Sequence, residues 1–299
     1  MRVITTIQEM VAERSRCASS QKVGVVPTMG YLHEGHLSLV RQARKENEIL
    51  TASIFVNPTQ FGPHEDLGSY PRDLPGDLRM LEHLGVDIVF VPTPDEIYPP
   101  AFVTYVDPTG PLTTKAEGAS RPGHFRGVAT IVLKLFQIMQ PHQAYFGQKD
   151  AQQVAVISRM VTDFNLPVKL RVLSTIREAD GLAMSSRNAY LDPAQRTAAT
   201  VLYRALQAGR MAFEAQSKIR SKEGVSAVVK AMTDTVLAEP RAHLDYAEVR
   251  DTGSFIQLEV LRAPALLLIA AKVGPARLID NFLLRADGSW DIGIPANGH

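Results

Sequence analysis

Apolar residues along this chain alternate between short unbroken runs and stretches that repeat every three to four positions. Residues 2–4 form one short run, and Thr6 to Cys17 has the spacing of an amphipathic helix. The run Lys22-Val23-Gly24-Val25-Val26 predicts a strand; Leu37, Leu39, Val40 and Ala43 after it predict a helix opened by Glu34 and Gly35. Ile49 to Val56, β-branched-rich and stopped by Asn57-Pro58, predicts a parallel strand buried on both faces. Phe61 to Asp77, rich in Pro, Gly and acidic residues, reads as a long loop, either functional or passive, followed by a helix over Asp77–Leu84 and a strand over Ile88–Val91.

Residues 92–120 read as irregular, with a strand over Phe102–Val106. Val128, Ile131, Val132, Leu135, Phe136 and Met139 give Phe125–Gln140 the period of a core-facing helix. A strand over Gln143–Phe146 leads through Gly147-Gln148-Lys149-Asp150 into a helix over Ala151–Val161, and Val168–Leu173 is again strand-like. Ile176–Asn188 is turn-rich. Pro193 opens an Ala-rich helix reaching Gln216, followed by a polar link and a helix ending at Leu237. The tail carries Leu244–Val249, the apolar run 265–271, Arg277–Asp280 and a final hairpin-like stretch.

Strands alternating with helices at this spacing predict an α/β fold, a Rossmann-like doubly wound parallel sheet that binds ligands beyond the carboxyl ends of its strands. The shift in composition predicts a boundary near residue 183, with 1–183 as the Rossmann-like domain and 184–299 as a smaller α+β C-terminal lid domain.

Length supports this division, since 299 residues approach the size at which single cores stop growing. A net charge of +1 offers no general attraction for nucleic acid or an anionic membrane, so any basic site must be local. The longest apolar run, Ala265–Ala271, is far shorter than the roughly 20 residues of a membrane span. Cys17 is the single cysteine, which excludes an internal disulfide and fits a reducing compartment. No signal-peptide apolar region is expected near Glu9, Glu13, Arg14 and Arg16, and the expected location is cytoplasmic.

Candidate chemistry lies at the strand ends. Met29-Gly30-Tyr31-Leu32-His33-Glu34-Gly35-His36 is a strand-to-helix turn whose free N–H groups and helix dipole suit an anion, phosphate above all. His33 and His36, three apart, can face one ligand; they can equally be a surface feature, while a metal fits less well without a third ligand nearby. Gln60, the set Lys149, Asp150 and Gln153, and the set Ser185, Ser186 and Arg187 occupy other junctions. Each also has a plain reading as solvated loop, surface charge or helix cap. A parallel sheet brings such junctions to one edge, and together they suit a triphosphate.

The stretches 27–36, Phe55-Val56-Asn57-Pro58-Thr59-Gln60-Phe61, Arg121-Pro122-Gly123-His124-Phe125-Arg126-Gly127-Val128, Gly147–Asp150 and Ser185-Ser186-Arg187-Asn188 closely resemble the pantoate–β-alanine ligase family nearly from end to end. The H-x-G-H piece alone indicates only the wider nucleotidylyltransferase superfamily. The resemblance implies ATP-dependent synthesis of pantothenate through an enzyme-bound pantoyl adenylate, with release of pyrophosphate and then AMP. It implies His36 as proton donor beside His33, an ATP site over 29–36, 147–150, Ile176 and 184–187 (Met184 included), pantoate on Gln60 and Gln153, β-alanine near Gln60, and a homodimer. Physically, a histidine can supply a proton or a hydrogen bond. Lys149 is a point charge, Arg187 a planar fork, and preorganised donors at the phosphates are each worth on the order of 3–4 kcal/mol. Mg²⁺ is expected with ATP, held by phosphate oxygens and water, with Asp150 as a nearby carboxylate. Gln148 stands where many members carry Glu, and the tail after Asp287 is longer than the family leads one to expect. Competing readings are an adenylyltransferase with a phosphate-bearing acceptor and a nucleotide-binding regulator without turnover; two histidines with Lys149 and Arg187 exceed what binding alone needs.

Overall fold

In the computed structural model, which describes residues 1–18, 20–216 and 222–296, six strands pair in parallel in the order β1-β4-β3-β2-β5-β6. These are β1 (Arg2–Ile4), β2 (Val23–Thr28), β3 (Ile49–Ile54), β4 (Ile88–Phe90), β5 (Gln143–Gly147) and β6 (Lys169–Leu173). The order runs outward from β2 through β3 and β4, then resumes on its other side with β5, so the topological switch point lies between β2 and β5. Val25, Val26, Leu50 and Val89 are wholly buried, as strands covered on both faces require.

Helices α1 (Ile7–Arg16), α2 (Glu34–Glu46), α3 (Leu74–His83), α4 (His124–Met139) and α5 (Ala151–Asp163) connect these strands. The chain divides into two compact units, Met1–Gly147 with Val156–Leu173, and Gln148–Ala155 with Ser174–His299. The division falls at Leu173/Ser174, ahead of the boundary read near residue 183, and the residues just after β5 go with the second unit.

The second unit holds α6 (Pro193–Ala199), α7 (Val201–Gln216) and α8 (Lys222–Leu237) with an antiparallel sheet ordered β11-β10-β9-β8. Its strands are β8 (Ala242–Arg250), β9 (Ala265–Val273), β10 (Ala276–Leu284) and β11 (Trp290–Asp291). Leu202, Leu206, Val228 and Met232 from the helices pack with Leu267, Ile269 and Phe282 from the sheet. Two further short strands, β7 (Ile176–Arg177) and β12 (Ile294–Pro295), pair in parallel. Among the described residues no helix is long and apolar enough to cross a membrane.

Four local expectations change. Helix α3 starts at Leu74 rather than Asp77, because Asp73 accepts the Gly76 N–H at 3.0 Å and Pro75 occupies the first turn. Phe102–Val106 is irregular and is in no strand: the Val106 N–H donates to Thr130 Oγ1 at 3.0 Å, and Val103 is 83% exposed. The helix expected from Pro193 to Gln216 breaks at Thr200 into α6 and α7. The final stretch is not one hairpin, since β11 pairs antiparallel with β10 while β12 pairs with β7. The polar link expected between α7 and α8, at 217–221, lies outside the described residues.

Candidate functional site

In the first unit the turn after β2 is shaped by polar groups. Gly30 and Tyr31 take φ values of 82° and 52°, which a glycine reaches without strain and a tyrosine only when held. Asp77 holds it. Its two oxygens accept the Tyr31 N–H at 2.8 Å and the Leu32 N–H at 2.7 Å. Burial pushes the Asp77 carboxyl above the usual carboxylate range, against those two N–H groups, which favour its charged form. A methyl group at Gly30 would stand 2.9 Å from Asp77 Oδ2.

Helix α2 opens at Glu34, as expected, and His33 is its N-cap. Its Nδ1 accepts the Gly35 N–H at 3.1 Å, and His36 Nδ1 accepts the His33 N–H at 3.4 Å. The rings lie 4.1 Å apart between centroids. Because both Nδ1 atoms accept, each neutral ring carries its hydrogen on Nε2 and is a donor there. Both are half-buried, and Glu34 pairs with Arg41. The pair therefore caps the helix through its Nδ1 atoms.

Gln60 ends a 3-10 turn, Pro58–Gln60, beyond β3 and is 9% exposed. Its amide is oriented by Asn57, whose own orientation is set by the backbone: Asn57 Nδ2 donates to the Gly127 carbonyl at 3.2 Å, and Oδ1 accepts the Thr59 N–H at 3.4 Å and the Tyr98 hydroxyl at 2.8 Å. Asn57 Nδ2 then donates to Gln60 Oε1 at 3.1 Å, which leaves Gln60 Nε2 as the outward group; it donates to Met29 Sδ at 3.1 Å. The structure thus joins Gln60 to Met29 of the β2 turn. Burial drives the Tyr98 hydroxyl up to about 12, so it stays a donor at neutral pH.

In the second unit, Gln148-Lys149-Asp150 is a 3-10 turn entering α5. Asn281 on β10, 2% exposed, holds it: its Nδ2 donates to the carbonyls of Gln148 and Lys149, each at 2.9 Å, and its Oδ1 accepts Gln148 Nε2 at 3.1 Å. Lys149 Nζ is 3.4 Å from Asp150 Oδ1. The neighbouring Asp280 takes both ends of the buried Arg177 guanidinium, at 2.6 and 2.9 Å. Arg177 follows Ile176, whose carbonyl accepts the Met184 N–H at 3.0 Å, so two residues expected at the nucleotide are backbone partners. Ser185 caps the 3-10 turn Ser186–Tyr190 by accepting the Arg187 N–H at 3.3 Å. The cap reading and the binding reading of Ser185-Ser186-Arg187 are thus compatible. Gln153 is half-buried on the first turn of α5.

Asp77, Asn57 and Asn281 were not singled out in the sequence. Only Asp77 had a local signal, an acid in the first turn of a helix; the others act through partners far along the chain. Among the described residues no three His, Cys, Asp or Glu side chains gather as a metal site.

Residues 2–283 match the family model described as pantoate-beta-alanine ligase. A pantothenate synthetase of Roseiflexus castenholzii is 56% identical over 286 residues, 96% of this chain and 100% of that protein. The crystal structure of pantothenate synthetase from Thermus thermophilus superposes with a TM-score of 0.87 at 47% identity, covering 94% of this chain and 98% of that one. A pantoate-β-alanine ligase from Francisella tularensis, complexed with β-γ ATP and β-alanine, gives 0.77 at 35% identity over 95% and 97% of the two chains. The parallel sheet with a C-terminal antiparallel sheet is the fold of these enzymes. The chain belongs to the pantoate–β-alanine ligase family and is a ligase.

Proposed function

We propose that the chain forms pantothenate from (R)-pantoate and β-alanine at the expense of ATP, in two steps. The pantoate carboxylate attacks the α-phosphorus, giving pantoyl adenylate and pyrophosphate; the β-alanine amine then attacks the acyl carbonyl and AMP leaves. The observation that carries this reading is the β2–α2 turn, where two imidazoles, each accepting a backbone N–H at Nδ1, sit at a helix N-terminus. The nucleotide bound by the Francisella tularensis relative supports it.

In this reading His33 and His36 donate hydrogen bonds to phosphate oxygens. Full protonation of either ring would displace the backbone N–H that its Nδ1 accepts, so donation of a hydrogen bond suits His36 better than transfer of a proton. Lys149 supplies a point charge and Arg187 a planar fork, with Ser185 and Ser186 as neutral donors. Met29 to Gly35, Gly147 and Gln148 line the ATP path with their backbone, while Ile176 and Met184 are apolar neighbours of the nucleotide. Gln60 offers N–H groups to pantoate, with Gln153 as a second amide and β-alanine near Gln60. Asp150 would be the carboxylate near a Mg²⁺ ion carried by the phosphates, whose charge would offset that of the pyrophosphate. An adenylate must be kept from water, and residues 184–299 are assigned that part. The setting is cytoplasmic and the active form a homodimer.

With ATP, pantoate and β-alanine present, pyrophosphate, AMP and pantothenate should appear in equal amounts, and pyrophosphate should require pantoate. ATP binding without pantoate-dependent pyrophosphate would instead favour a regulator.

A further inference from the structure

Arg121 and His124 have no role in the reaction as read above, yet the helix that His124 opens packs against the turn that carries Gln60. His124, on the first turn of α4, is 9% exposed and has both ring nitrogens matched. Its Nε2 lies 3.1 Å from Arg121 Nη1. An arginine only donates, so Nε2 accepts, and the hydrogen must sit on Nδ1. That Nδ1–H donates to the Gln60 carbonyl at 2.8 Å, which Arg121 Nη2 also approaches at 3.4 Å. Arg121 is itself held in a fork by Glu65, at 2.8 and 2.7 Å, with Glu117 3.8 Å away. Gly127 completes the contact: a methyl group there would stand 2.3 Å from the Thr59 carbonyl oxygen and 2.6 Å from the Gln60 nitrogen.

We propose that His124 is a positioning residue for Gln60, held by Arg121 as the Nδ1–H tautomer so that it grips the Gln60 carbonyl and presents the Gln60 amide to pantoate. The proposal rests on the assignment of Gln60 to pantoate. Burial alone would ask for both nitrogens to be paired; what is specific here is that Arg121 fixes which of them donates. Here Glu65 fixes the Arg121 fork, Arg121 donates to His124 Nε2, and the His124 Nδ1–H is thereby left to donate to the Gln60 carbonyl. The Gln60 amide is thereby held from both ends, its backbone by His124 and its side chain by Asn57. Burial and the Arg121 charge both disfavour a second proton on the ring, in keeping with this tautomer.

The test compares H124N, whose amide nitrogen matches Nδ1, with H124Q, whose amide matches Nε2. Michaelis constants for pantoate and for ATP are measured with thermal stability in each variant. H124Q should raise the pantoate KM about tenfold, the effect of one lost buried hydrogen bond, with the ATP KM within about twofold; H124N should recover most of the loss. R121K, which keeps the charge but not the fork, should act like H124Q and serves where that variant does not fold. In a Q60A background the H124Q effect should vanish. Equal behaviour of H124N and H124Q, or a joint rise of both Michaelis constants, overturns the positioning role. If Q60A raises the pantoate KM and neither H124Q nor R121K does, the positioning role fails alone; if Q60A leaves it unchanged, the pantoate assignment fails and takes the proposal with it.

Discussion

Asp77 on α3 accepts the backbone N–H of Tyr31, 46 residues earlier, at 2.8 Å. Its other oxygen takes the next N–H, that of Leu32 at 2.7 Å, so one carboxylate sets the left-handed entry into the histidine turn. Asp77→Asn would turn a donor toward a backbone donor in a buried place. We expect a loss of stability of about 1–3 kcal/mol, the cost of an unsatisfied buried group. Pyrophosphate formation should fall by more than the stability change explains, because His33 and His36 follow directly. Thermal unfolding and a pyrophosphate assay on the same preparation check this; an unaltered rate would separate the turn from the chemistry.

Asn281 makes a parallel case in the second unit. Asn281→Asp keeps the shape but replaces the donor shared by the Gln148 and Lys149 carbonyls with an acceptor. Turnover should drop at least about tenfold, the equivalent of roughly 1.4 kcal/mol. In a Lys149→Ala background the same change should add little, since residues acting as one unit are not additive. Steady-state rates for the two single variants and the double variant decide it.

Gly127→Ala tests the close approach of α4 to the Thr59 carbonyl. With 2.3 Å to a backbone oxygen, either chain must move, and overpacking of this kind costs about 1–3 kcal/mol. The melting temperature should fall accordingly. A variant as stable as the wild type would mean that the 58–60 turn yields freely.

His124 should also give stability a slope with pH. Burial first, then the Arg121 charge, lower its pKa to about 4 from the ordinary 6.5, with Glu65 and Glu117 facing it from the other side. The unfolded chain accepts a proton in that window and the folded chain refuses it, so the stability is present above pH 6.5 and is lost as pH falls toward 4. The loss amounts to about 3 kcal/mol by linkage. Glu65, whose carboxyl burial alone would raise but Arg121 holds low, adds its own loss only below its ordinary value of 4.5. Urea unfolding across this range should show the slope in the wild type and a shallower one in His124→Asn.

Much of this architecture is legible in the residues. Both patterns that organise the first unit, buried runs and helical spacing, are local, and so is the opening of α2 at Glu34. What is not legible is of two kinds. Phe102–Val106 has strand composition, but the Val106 N–H is taken by the Thr130 hydroxyl, a pairing composition cannot register. Asn57, His124 and Asn281 act through the carbonyls of Gly127, Gln60 and Lys149, which lie 70, 64 and 132 residues away. Periodicity carries no trace of such pairings. The histidines, Lys149 and Arg187 stand out by chemistry, whereas the groups that hold Gln60 and Lys149 are ordinary until their partners are known.

The central claim is that pantoate is activated as its acyl adenylate, and the fate of its carboxylate oxygen tests it most directly. Pantoate labelled with ¹⁸O in the carboxylate is turned over with ATP and β-alanine, and the products are read by mass spectrometry. One labelled oxygen should appear in AMP and one remain in the amide of pantothenate. Unlabelled AMP, with the label in pyrophosphate or in inorganic phosphate, would contradict the account.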